Sequence, residues 1–207
     1  MPESARPLVA AALVGQGGAA TGTVLSTATI LAAWNVQGDP ARSSVVADVD
    51  RLLAVRLPVE SNTARRAQSV LALWLGPRSW LLIESGAGAG PAVLTDFEAQ
   101  RDVLNAGGGA LFDVSAGRVA FTVRGKRAET VLATGCPLDV DVRSFPPGHC
   151  AQSVFGRTAA LYYRHEATPA FTVMVARSLA ADVWHGLCVA ASTDGYEVGL
   201  PAAFDPA

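Results

Sequence analysis

Lysine is almost absent: the 207 residues contain 15 arginines and one lysine, Lys126. With abundant alanine and glycine, this bias reads as genome composition. Clustered basic charge is missing as well. Arg65-Arg66 is the only adjacent arginine pair and the formal net charge is -2, which leaves nucleic-acid binding without an electrostatic footprint. Cysteine is scarce, and Cys136, Cys150 and Cys188 stand at no metal or framework spacing. That excludes a secreted disulfide scaffold and fits a reducing compartment, with the cytoplasm as the default. No apolar run reaches the roughly 18 to 20 residues a membrane helix needs. Pro7 to Val14 is apolar but lacks a basic lead and is soon interrupted by Gly15 and Gly17, so a loose arm is expected there rather than a signal peptide.

What is present is core-forming material, since 50% of the residues are hydrophobic. That excludes a disordered chain and is ample for one large domain or two small ones sharing a core. The β-branched stretch Thr27 to Val36 reads as a strand stopped by Gly38-Asp39-Pro40. Asp39 is the expected cap of a helix with Val45, Val46, Val49, Leu52 and Leu53 at helical spacing, ending near Leu57-Pro58. Three ββα units follow. The first has strands Val70 to Leu75 and Ser79 to Ile83, with a helix from near Pro91. The second has Ala110 to Val114, the turn Ser115-Ala116-Gly117, Arg118 to Val123, and a helix from Lys126 to Thr134. The third has Cys150 to Val154, a turn at Phe155-Gly156, Ala159 to Tyr163, Ala170 to Val175, and a helix bearing Leu179, Val183, Trp184 and Leu187. Repeated hairpins followed by helices predict an α+β fold, an antiparallel sheet with helices on one side. Residues 1–25 are expected as the arm, 26–195 as one domain of two packed halves (about 26–108 and 109–195), and 196–207 as a tail.

Chemistry is harder to find. Gly15-Gln-Gly-Gly-Ala-Ala-Thr-Gly22 resembles a phosphate-cradling loop, but no lysine follows it and the next segment is β-branched. His149 and Cys150 are adjacent on an extended segment and so point to opposite faces. His185 and Cys188 share a helix face, yet Cys136 and His165 lie at no recognisable ligand spacing from them. Asp139 and Asp141 alternate as a carboxylate pair could, and a solvated loop edge explains them as well. Ser115 lacks the strand–Gly-x-Ser-x-Gly–helix setting of a nucleophile elbow. No residue of this chain is therefore expected to be catalytic, cofactor-binding or metal-binding. Trp34, Trp74, Trp80 and Trp184 fall at core spacing, with Trp74 and Trp80 retained as contact candidates. The rigid loop Arg143-Ser-Phe-Pro-Pro-Gly148 adds Arg143, Phe145, Pro146 and Pro147 to them, and Arg118 completes the set of subunit-interface candidates.

Taken in order, several segments resemble the gamma subunit family of heterotetrameric sarcosine oxidase. They are Asn35-Val-Gln-Gly-Asp-Pro40, Leu57-Pro58 with Ser61-Asn62-Thr63, Leu73-Trp-Leu-Gly-Pro-Arg-Ser-Trp-Leu-Leu82, Asp113-Val-Ser-Ala-Gly-Arg118, Gly135-Cys-Pro-Leu-Asp139 and Phe145-Pro-Pro-Gly-His-Cys-Ala-Gln152. Pro169-Ala-Phe171 and Arg177-Ser178 fit too. Arg78-Ser79 departs from the acidic pair usual in similar proteins.

The resemblance implies an aminomethyltransferase-like fold and an accessory role beside alpha, beta and delta subunits. The complex it implies oxidises sarcosine to glycine, transfers the methyl carbon to tetrahydrofolate and reduces oxygen to hydrogen peroxide. FAD, FMN, NAD, tetrahydrofolate and zinc are expected on the other subunits, and none on this chain. The same role in a sister complex such as N-methylglutamate dehydrogenase is one alternative. A free-standing folate-binding protein, with Asp113 or Glu84 facing the pterin, is another. A thiol enzyme using Cys136 or Cys150 is a third.

Overall fold

The computed structural model describes residues 22–85, 96–165 and 169–204. In chain order the elements are β1 (Val24–Gly38), α1 (Val45–Leu53), β2 (Ala64–Ala67), β3 (Val70–Gly76), β4 (Ser79–Ser85), α2 (Phe97–Ala106), β5 (Gly109–Asp113), β6 (Arg118–Arg124), α3 (Ala128–Ala133), β7 (Cys150–Phe155), β8 (Thr158–Arg164), β9 (Ala170–Ala176), α4 (Ala180–Ser192), β10 (Glu197–Val198) and β11 (Ala202–Ala203). Strand β1 organises them, because its 15 residues are long enough to serve two half-sheets. Val24 to Ala28 pair with β6, while the stretch from Ile30 to Gln37 pairs with β4.

The strands run in the order β2-β3-β4-β1-β6-β9-β8-β7, antiparallel throughout. The sheet curls until its two ends meet. Thr63 and His149 form an antiparallel bridge, flanked by the Ala64 N–H donating to the Gly148 carbonyl (3.0 Å) and the Cys150 N–H to the Asn62 carbonyl (2.9 Å).

Period-two alternation then sorts side chains into three apolar layers. On β4, Trp80 and Leu82 face outward onto α1 and α2, with Val45, Val49 and Leu104 as helix partners. On β9, Phe171, Val173 and Val175 face α3 and α4, meeting Val131, Leu132, Val183, Trp184 and Leu187. Between the half-sheets lies the middle layer, built from Leu71, Leu73, Leu81, Ile83, Leu161, Tyr163 and Met174. Burying one such large apolar side chain contributes roughly 1.5–3 kcal/mol.

The α+β class and antiparallel sheet agree with the sequence reading, and four details differ. Helices cover both outer faces, because the sheet curls back and buries its inner face on itself. The second unit is not a hairpin: β5 pairs with β1 at Trp34 to Gly38, and β6 pairs with the same strand at Val24 to Ala28. Ser115–Gly117 is a 3-10 turn that steps the chain along β1 without reversing it. Helix α1 starts after Ser44, at Val45, five residues on from the anticipated Pro40. Asp39 instead holds a turn, its carboxylate accepting from the Ala41 N–H at 3.0 Å. The helix stops at Leu53 because Ala54 turns left-handed (φ 49°), before Leu57-Pro58. Leu179 sits in a 3-10 turn ahead of α4 and is 39% exposed.

The C-terminal segment is woven into the sheet. β10 and β11 run parallel to β1, and Phe204 enters the middle layer at 1% exposure. Most of the expected arm, the glycine-rich Gly15 to Thr21 and the helix start near Pro91 lie outside the described residues. α2 itself is capped by Asp96, whose carboxylate accepts from the Ala99 N–H at 3.1 Å.

Candidate functional site

The segment from Asp139 to His149 joins α3 to β7 and closes the curled sheet. Its residues dictate a rigid shape. Asp139 accepts from the Ser144 hydroxyl (2.6 Å) and the Asp141 N–H (3.1 Å). Asp141 accepts from Arg143 Nε at 2.8 Å, and its carbonyl accepts from the Ser144 and Phe145 N–H groups. The Ser144 hydroxyl holds the Asp139 carboxyl below the usual carboxylate range, and the Arg143 guanidinium does the same for Asp141. The carboxylates therefore work as turn-holding acceptors, as short acidic side chains commonly do. Gly148 takes φ +77°, which favours glycine, and its N–H donates to the Arg164 carbonyl at 3.0 Å.

A buried cation anchors this loop. Arg164, 5% exposed, donates to the Val140 carbonyl (2.8 Å) and to Glu129 Oε1 (2.7 Å). It also lies 4.9 Å above the Phe171 ring. Phe145 stacks on that same ring. Sequence reading missed Arg164 and Glu129; the available signal was an arginine closing the apolar run Leu161-Tyr-Tyr163, where a charge needs partners.

The contact candidates separate by burial. Phe145 is buried in the α3/α4 layer, so it anchors the loop and offers no surface. Trp80 is 1% exposed and its indole N–H donates to the Pro58 carbonyl at 2.8 Å. Both are corrected from contact residues to core residues: Phe145 gains by burying its ring against Phe171, and Trp80 by burying an indole whose N–H is satisfied. Trp74 is half-buried and packs against both the α1/α2 layer and the middle layer. Arg118, also half-buried, opens β6 opposite Ala176. Arg143 is 88% exposed. Pro147 is exposed beside half-buried Pro146, and Val142 adds an exposed apolar side chain that sequence reading passed over. What this loop presents outward is thus Val142, Arg143 and Pro147 on a fixed base.

The remaining chemical candidates are occupied or apart. Cys150 lies in the middle layer, its thiol 3.3 Å from the Thr63 carbonyl and 3.4 Å from that of Trp74. Burial pushes the thiol up to about 12, a weak nucleophile. His149 points elsewhere, toward the Pro147 carbonyl. Cys136 is buried, while His185 is exposed and Cys188 half-buried on α4. Asp113 accepts from the Ser115 N–H (2.8 Å) and hydroxyl (2.6 Å) to hold the 3-10 turn. Glu84 is buried at 2% exposure near the end of β4. His165, also buried, shares a 2.7 Å hydrogen bond with the Thr172 hydroxyl. Among the described residues no group of three or more His, Cys, Asp or Glu could hold a metal ion, and no helix is long and apolar enough to cross a membrane.

The model of the sarcosine oxidase gamma subunit family matches residues 37–193. The chain belongs to that family. Among solved structures, one similar to this gamma-family chain is a chain of heterotetrameric sarcosine oxidase from Corynebacterium sp. U-96, in complex with pyrrole 2-carboxylate. The two share 23% identity at a TM-score of 0.78, covering 90% of this chain and 92% of that one. The glycine cleavage system aminomethyltransferase T from Bartonella henselae is similar at 13% identity and a TM-score of 0.59, over 87% of this chain and 48% of that one. Both likenesses establish a shared fold, and the second extends over about half of the larger protein. No curated protein sequence matches the chain at a significant level.

Proposed function

We propose that this chain is an accessory subunit of a sarcosine oxidase heterotetramer, joined to alpha, beta and delta chains, and that it supports assembly while the chemistry proceeds on its partners. The observation that carries the reading is the family match over residues 37–193. A fold likeness spanning nearly the whole of a chain from a heterotetrameric sarcosine oxidase supports it further. Secondary-amine oxidation needs a flavin held by a dedicated site. In this proposal FAD, FMN, NAD, tetrahydrofolate and zinc reside on the other subunits. The engaged state of the loop carboxylates and the raised Cys150 thiol supports a scaffold role for the groups most suggestive of catalysis.

The test is co-expression of the tagged full chain with the products of adjacent reading frames, followed by pull-down, visible absorption and an amine-oxidation assay. The expected result is a yellow complex of four polypeptides that demethylates sarcosine. A complex preferring N-methylglutamate would move the role to the sister enzyme. A colourless chain emerging alone and binding a folate would overturn the proposal.

A further inference from the structure

The outer face of the first half-sheet carries a feature that the closing loop does not explain. The Asp39–Ser44 turn, the solvent side of α1 and the segment from Arg56 to Val59 bound a groove of about 490 Å³. Its apolar part is Val46, Ala47, Leu57 and Val59, the last 67% exposed. Past Asp50, Arg56 and Arg65 the groove continues into a second hollow of about 350 Å³, reached by Arg66. The guanidinium groups of Arg56 and Arg65 thus share one lining carboxylate, Asp50, in a chain whose net charge is -2.

That carboxylate does little to quench them. Asp50 and Arg56 are 3.5 Å apart with side chains 46% and 77% exposed, a solvated pair of small energetic weight. Arg65 is exposed and makes no ion pair among the described residues. It sits opposite Ala72, a residue of the α1/α2 layer, so the register of β2 puts it on the groove side. Arginine forks pair well with carboxylates in two-point geometry, and arginine is enriched at protein interfaces.

We infer that this groove docks an acidic segment of another subunit, whose carboxylates meet Arg56 and Arg65 while an adjacent apolar side chain covers Val59 and Val46. The inference rests on the subunit reading above and adds to it the surface and the chemistry of the partner. Charge complementarity argues for this occupant, since a positive groove on a negative chain steers an acidic partner to one place.

The test uses the full chain co-expressed with its neighbours and compares wild type with the double variant R56E/R65E. Recovery of the partner chains should fall at least about tenfold in the variant, with unchanged circular dichroism and melting temperature. The milder R56Q/R65Q should fall between, and raising salt toward about 0.5 M should weaken wild-type recovery. R157E, at an exposed position in the β7–β8 turn, should assemble normally. If wild type and both double variants assemble equally, the groove is not the docking surface, although the subunit reading stands. Equal loss in R157E would also overturn the inference, as would wild-type self-association that the double variant abolishes. If wild type itself recruits no partner, the subunit reading fails and the inference fails with it. Should R56E/R65E unfold, R56Q/R65Q and the salt series decide.

Discussion

Phe145 lies parallel to Phe171, with ring centroids 6.4 Å apart and 6° between the planes. The stacking places a loop residue inside the α3/α4 layer, so packing adds to the hydrogen bonds of Asp139 and Asp141 in fixing the loop. Phe145→Ala should cost roughly 3–5 kcal/mol of stability, the range for deleting a buried phenyl ring. Arg143→Ala, 88% exposed in the same loop, should change stability by no more than about 0.5 kcal/mol. Urea unfolding of the two variants checks this, and equal losses would contradict the assigned burial.

Arg164 serves three groups at once. Arg164→Ala strands the Val140 carbonyl and removes the partner of Glu129, for an expected loss of about 2–4 kcal/mol. Arg164→Lys should restore less than half of that, because an ammonium cannot reproduce the fork that reaches both acceptors. Thermal unfolding of both variants tests the ranking.

Acid should loosen the loop in a defined window. The Asp139 carboxyl is lowered from 3.8, first by the Ser144 hydroxyl and then by the Asp141 N–H. A carboxyl lowered in the folded state contributes stability that is complete above its unfolded pKa and is lost as pH falls through the folded one. Asp139→Asn should therefore flatten the dependence of melting temperature on pH below about pH 4, while leaving the slope near neutrality unchanged. A variant that kept the wild-type acid slope would show that the Ser144 bond is not maintained in solution.

Thiol labelling offers a separate check on the middle layer. Cys150 is fully buried with its pKa pushed up to about 12, so alkylation of the native protein at pH 8 should modify half-buried Cys188 ahead of it. In denaturant all three cysteines should react. Rapid native labelling of Cys150, read by peptide mass mapping, would contradict the closure at Thr63 and His149.

Gly125 marks the tightest crossing. At φ +110° its Cβ would lie 1.7 Å from the Gly22 carbonyl oxygen, so Gly125→Ala must displace the chain entering β1 or distort β6. A loss of more than about 2 kcal/mol is expected, whereas Gly76→Ala, with no atom within 4 Å of the added carbon, should be far milder. Denaturant midpoints for the two variants check the contrast.

Local chemistry was legible in the sequence, and pairing at a distance was not. The turns at Gly76-Pro77 and Phe155-Gly156 join strands that do form hairpins, because two short β-rich runs around a tight turn leave little else to build. Ser115-Ala116-Gly117 has the same turn chemistry, yet both flanking strands pair with β1. Nothing local distinguishes a reversal from a step. Asp39 shows a similar ambiguity: the side-chain acceptor that caps a helix also caps an isolated turn. The loop carboxylates could be read as a solvated edge, but Phe145 looked exposed because its ring partner, Phe171, comes 26 residues later, and Arg164, which lies over that ring, 19 later. The groove was still less visible, since Arg56 and Arg65 are separated in sequence by the turns before β2 and meet only when that strand packs beside α1.

The long first strand also sets an order of events during synthesis. β1 leaves the ribosome ahead of every partner, yet its N-terminal half needs β6 on one side and Glu197–Val198 and Ala202–Ala203 on the other. Such sequence-distant pairings carry a large loop-closure cost and slow folding. The β3–β4 hairpin and its helices can form early, but Leu25 and Phe204 cannot be sealed until nearly the whole described chain has emerged. A nascent chain stalled before β10 would leave the N-terminal half of β1 with one edge unpaired, a species suited to capture by a chaperone or a partner subunit.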